Sequence, residues 1–209
     1  MDSAFPTGAF AHSGGLEAAW QQGDVEDGEA LQRFVQASIS QAATAAIPLI
    51  NAAYRDPGKI EALDALADAF LTNAVANRAS RVQGRTLVAT VSRIWPSEEL
   101  ADLRRRAEHL CAHVGPLTGA ALRVLDLPLA TVQRMVLFST ARSVLSAAVR
   151  LGMTGSYEAQ RLQWLCTPWL DAQLERCAEF DERDLAQTAP ILDLLHAGHD
   201  RLYSRLFQS

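Results

Sequence analysis

Apolar residues recur every three or four positions along most of this chain, and proline and glycine cut that rhythm into helix-sized pieces. Leu31, Phe34, Val35, Ile39 and Ala42 form one stripe, and Ile60, Leu63, Leu66, Ala67, Phe70, Leu71 and Ala74 form another. That period turns one face of a helix inward, and no stretch shows the two-residue alternation of a half-buried strand. Pro48 predicts a kink or break just before it, and Asp56-Pro57-Gly58 reads as a turn. A helix is expected over 77–94, with Gly84 inside it. A glycine there costs about 1 kcal/mol against alanine, so it suggests close approach of another backbone. Ser97 with Glu98 and Glu99 opens the next helix. Its apolar face continues through Leu100, Leu103, Ala107, Leu110, Cys111 and Val114 until Gly115-Pro116 ends it.

A short helix is expected over 117–125 and a long one from Pro128 to Leu151, whose small apolar middle suits a central position. Gly152 and Gly155 bracket a turn, Thr167-Pro168 restarts a helix, and Pro190 begins the last one, through Leu202. The expected fold is all-α: a single compact domain over 1–209, of about eight to ten helices, with an irregular N-terminal loop and a C-terminal tail. A chain of 209 residues can bury a core of its own without staples.

Composition narrows the function. A net charge of −5 with no dominant basic face argues against a nucleic-acid footprint. No apolar run approaches the roughly 20 residues of a membrane helix, and no signal peptide precedes the first motif. Cys111, Cys166 and Cys177 are odd in number and form no C-x-x-C pair, which fits a reducing cytoplasm and three small buried hydrophobes. Lys59 is the single lysine and no G-x-x-x-x-G-K-[ST] run exists, so a phosphate-loop nucleotidase is excluded. G-x-S-x-G and H-E-x-x-H are absent too. His109, Cys111 and His113 resemble a metal cluster in print. On the expected helix, however, Cys111 points away from the two histidines, which leaves the cysteine in the core and the histidines at the surface. His196 and His199, with Asp193 and Asp200 nearby, are a better imidazole–carboxylate set, although an exposed polar face or a histidine pinned by an acid accounts for them more simply. The expectation is a protein that is not an enzyme, with no catalytic residue, no metal ligand and no stably bound cofactor.

Two stretches do not read as ordinary helix. The opening holds Pro6, Gly8, Gly14 and Gly15 around Phe5, Phe10 and His12, then Ser13, Leu16 and Glu17. It predicts a structured loop feeding a helix near Ser13, with Leu16, Ala19 and Trp20 inward and Gly23 as its stop. At the other end, Leu206-Phe207 is a large apolar pair in a polar tail. It would be mobile unless it docks onto a partner or onto its own body.

Four blocks resemble the UreF family of urease accessory proteins. The first is the opening F-P-x-G-x-F-x-H-S-x-G-L-E, carried by Pro6, Gly8, Phe10, His12, Ser13, Gly15, Leu16 and Glu17. The second is Arg78-Ala79-Ser80 with Gln83-Gly84-Arg85. The third is Ala148-Val149-Arg150-Leu151 with Gly155 and Gln160. The fourth is Pro190, Asp193, His199, Arg205-Leu206-Phe207 and Ser209. Two departures stand out: the run after Leu151 lacks the family's usual proline and first glutamine, and Asp200 replaces a glutamate.

The resemblance implies a cytoplasmic, non-catalytic maturation factor. It would pair with itself and with the accessory protein UreD/UreH, recruit the GTPase UreG and bind apo-urease, so that nickel is delivered by the complex. It implies that the tail, Arg205, Leu206, Phe207 and Ser209, contacts UreD/UreH. The opening loop from Pro6 to Glu17 and the turn from Arg150 to Gln160 would organise the assembly, while Arg78, Gly84 and Arg85 fit an architectural role. The competing readings are a helical adaptor unrelated to urease and a small metal-dependent enzyme using His196, His199 and Asp200.

Overall fold

The computed structural model describes residues 12–207. Eleven α-helices and three short 3-10 turns make up its regular structure, and no strand occurs among the described residues. The helices are α1 (Leu16–Gln21), α2 (Gly28–Ala45), α3 (Ile47–Arg55), α4 (Ile60–Phe70), α5 (Ala74–Ile94), α6 (Glu98–Ala107), α7 (Val114–Val124), α8 (Leu129–Arg150), α9 (Ser156–Leu165), α10 (Thr167–Cys177) and α11 (Pro190–Gly198). The all-α expectation holds, with eleven α-helices among the described residues.

Local signals account for most boundaries. The Asp27 carboxylate accepts the Ala30 N–H at 2.8 Å and caps α2. The break before Pro48 falls at Ala46, so the proline sits in the first turn of α3, where its missing N–H costs nothing. Ser97 caps α6 as expected, by accepting the Leu100 N–H. Asn73 caps α5 by accepting from Val75 and Ala76, which starts that helix earlier than 77 and moves Ala74 out of α4.

Two apolar cores share α3. One gathers α1, α2, α8, α9, α10 and α11 around Leu16, Ile39, Leu137 and Phe207. The other gathers α4, α5, α6 and α7 around Ile60, Val88, Leu100 and Leu117. α8 lies in the first core with Ala141, Ala147 and Ala148 buried, the central place its small residues predicted. Trp20 is 41 % exposed rather than inward.

The chain from α10 to α11 is long, and side chains of the body hold it down. Asn51, fully buried, donates to the carbonyls of Cys177, Ala178 and Phe180. Gln133 donates to Ala178 O and to Asn51 Oδ1. Farther along, Gln41 Oε1 accepts the N–H groups of Thr188 and Ala189. Pinned this way, the segment delivers α11 against α1 and α5.

The principal correction lies between α6 and α7. α6 ends at Ala107, and residues 108–113 are turn and loop. α7 then starts at Val114, with Gly115 and Pro116 inside its first turn rather than ending a helix. Ala112 takes φ 69°, a left-handed conformation costly for any residue with a Cβ, and no proline or glycine announces it.

Candidate functional site: the clasped ends of the chain

The two unusual stretches of the sequence meet. Gly14 and Gly15 both lie in the left-handed region, at φ 63° and 89°, and turn the chain into α1. Gly15 is constrained twice over, because a Cβ there would stand 3.0 Å from the His196 backbone nitrogen. α1 therefore packs directly on α11.

That packing buries Glu17, which is 2 % exposed. A carboxylate out of water must be hydrogen-bonded, and Glu17 spends both oxygens on the tail. Leu206 N–H donates to Oε1 at 2.6 Å, and Phe207 N–H donates to Oε2 at 3.2 Å. His199, fully buried, lies with Nδ1 3.9 Å from Glu17 Oε2 and Nε2 3.2 Å from the Phe207 carbonyl. The Phe207 ring is 6 % exposed, and the Arg150 guanidinium at the end of α8 stands over it, 4.3 Å from its centroid. Gln21 donates to the Ser204 carbonyl from α1. Asp200 binds Arg78 of α5 through both oxygens, at 2.8 and 3.0 Å, and lies 3.5 Å from Arg205.

The apolar pair thus divides. Phe207 anchors the tail to its own body, while Leu206 stays 51 % exposed. Ile191 and Leu194 on α11 are 70 % and 72 % exposed, and Tyr203 is fully so. These are large apolar side chains on a segment whose backbone is fixed.

The sequence-predicted residues separate accordingly. Glu17, Arg150, Leu206 and Phe207 come together, and Gly15 lets α11 approach closely at His196. Ser13 is buried just before α1. His12 and His196 line one cleft of about 450 Å³, with Ala42, Leu87 and Leu192 among its walls. Burial, together with His199 nearby, pushes the His12 imidazole below its usual range. Gln160 lies exposed on α9. Pro6, Gly8, Phe10 and Ser209 lie outside the described residues.

Three sequence expectations change. His196 and His199 do not line an exposed face. His199 is fully buried, and burial first, then His199, pushes His196 down to about 4. The Asp200 carboxylate is engaged by Arg78 and Arg205. His113 is fully buried rather than at the surface, and Cys111 is only half-buried; Cys166 and Cys177 are core, as expected.

The second motif is explained by the same loop. Ser80 Oγ accepts the Val114 N–H and lies 3.0 Å from His113 Nδ1. A Cβ on Gly84 would fall 2.1 Å from the Ala112 carbonyl oxygen. Ser80 and Gly84 are therefore the face of α5 against which the strained loop is seated. Asp64, which the sequence did not single out, is 2 % exposed and accepts the N–H groups of Ala112 and His113. It reads as an ordinary helix aspartate because its partners lie 48 and 49 residues away.

Fold and site define an all-helical protein whose N-terminal motif clasps its C-terminal tail. Comparison with known proteins carries this further. The UreF family model matches residues 25–166. Urease accessory protein F of Arabidopsis thaliana is 34 % identical over 216 residues, covering all of this chain and 90 % of the relative. The protein of the same name in Oryza sativa subsp. indica is 33 % identical over 213 residues, covering 99 % and 82 %. Urease accessory protein UreF of Roseobacter denitrificans is 30 % identical over 211 residues, covering 100 % and 90 %. This chain belongs to the UreF family of urease accessory proteins.

Proposed function

We propose that this chain is a non-catalytic, cytoplasmic adaptor in urease maturation, one that bridges UreD/UreH and the GTPase UreG and brings them to apo-urease. Nickel is then cargo of the complex. The chain pairs with itself, and its contact with UreG regulates GTP hydrolysis.

One observation supports this reading above the others: the C-terminal segment is held rigid from inside and is apolar outside. Glu17, His199 and Arg150 fix its backbone and Phe207, while Ile191, Leu194, Tyr203 and Leu206 face solvent. Exposed apolar side chains on a fixed backbone suit a docking surface, because little further ordering entropy is lost when a partner covers them. UreD/UreH is the partner assigned to it. No helix among the described residues is long and apolar enough to cross a membrane.

Complementation tests the function. A source strain lacking this gene should accumulate urease protein with little nickel and little activity, and the wild-type gene should restore both. Normal nickel content in the deleted strain would remove the chain from urease maturation.

A further inference from the structure

We propose that Asp68, Cys111 and His113 form a binding site for a divalent transition-metal ion of the zinc class. They offer one oxygen, one sulfur and one nitrogen, and these donor atoms all lie within 4.8 Å of one another. No other such trio of acidic, cysteine and histidine donors occurs among the described residues. His113 Nε2 stands 3.1 Å from Asp68 Oδ1. That is close to the edge, about 3.3 Å, of a tetrahedron with arms of about 2.0 Å. Mixed imidazole, thiolate and carboxylate donors suit borderline cations such as Zn²⁺ and Co²⁺ rather than Mg²⁺ or Ca²⁺.

The surroundings are built to hold these donors. Cys111 and His113 project from the loop that Ala112 strains and that the buried Asp64 ties down through two N–H groups. Backbone strain of this kind persists only where neighbours over-determine it. Ser80 Oγ lies 3.0 Å from His113 Nδ1, so it can accept the Nδ1 proton and leave Nε2 bare for a metal. Asn77 Nδ2 donates to Asp68 Oδ1 at 2.9 Å and orients that carboxylate. Access is open as well. The Asp68 side chain is 43 % exposed and Cys111 is half-buried, so an ion can enter and a water can complete the fourth position. The site depends on no part of the urease reading.

Cobalt(II) is the probe, because thiolate ligation gives a near-ultraviolet charge-transfer band. The full chain, purified with reduced thiols and stripped with a chelator, should bind one Co²⁺ with that band, and Zn²⁺ should displace it. Cys111→Ser should abolish the band, and Asp68→Asn should weaken Co²⁺ binding at least about tenfold. Both positions are partly exposed, so both variants should keep the helical circular-dichroism spectrum of the parent. His113 is too deeply buried to serve as the test position. Absence of the band at millimolar Co²⁺ would overturn the assignment, and so would a band that survives in Cys111→Ser.

Discussion

His196 gives the residue scale its clearest consequence. Its imidazole is held neutral by burial, with a value near 4 against 6.5 when exposed. Between those two values the unfolded chain binds more protons than the folded one, so stability falls as pH drops through that window. The full effect is about 3 kcal/mol at about 1.4 kcal/mol per pH unit. Thermal melts from pH 7 to pH 4.5 should show this decline, and His196→Gln should flatten much of it. An unchanged pH profile in the variant would place the decline elsewhere. Glu17 is the second single residue with a large role. Glu17→Ala leaves two N–H groups of the tail without acceptors in a largely buried setting, a loss of about 2–3 kcal/mol by denaturant titration. A loss below about 0.5 kcal/mol would mean that water takes over those groups and that the clasp is weaker than its geometry.

At the scale of elements, close approach between backbones decides what the helices tolerate. Gly84→Ala would drive a methyl group into the Ala112 carbonyl, so α5 and the 108–113 loop could not both stay in place. The expected cost is about 3 kcal/mol or more, seen as a lowered Tm or as insoluble protein. A Tm within a degree of wild type would contradict the close approach. Gly84 and the close approach behind it were legible in the sequence, because a mid-helix glycine is a local signal. The end of α6 was not. Leu110, Cys111 and Val114 continue the apolar phase of Leu100, Leu103 and Ala107, no proline or glycine stands where the helix ends, and the left-handed residue in the loop beyond it is an alanine. That one missed break placed Cys111 and His113 on an imagined helix, where their side chains diverge. In the loop they converge with Asp68. The Asp64 and Asn51 contacts were illegible for a different reason. Each is a lone polar side chain whose partners are backbone groups far along the chain, and no periodicity marks such a pairing.

At the scale of the whole molecule, the architecture and the family were legible, and the clasp was not. Helix-period stripes were readable from spacing, and the four short motifs from their resemblance to the UreF family. Whether Leu206-Phe207 docks outside or inside depended on Glu17, 189 and 190 positions away, and on the long segment that returns α11 to α1. Phe207 docks inward on the chain's own body, and Leu206 stays half exposed. Truncating the tail is therefore a poor probe of partner binding, because it also removes part of the core. Surface substitutions separate the two roles. Leu194→Asp alters a side chain that is 72 % exposed and should leave the Tm within about 2 °C of wild type.

Co-elution with UreD/UreH on size-exclusion chromatography, comparing wild type, Leu194→Asp and Leu206→Asp, tests the central claim most directly. The prediction is a joint peak for wild type and separate peaks for both variants, all three chains being equally helical. A joint peak that persists in both folded variants would contradict the assignment of the C-terminal surface as the docking face.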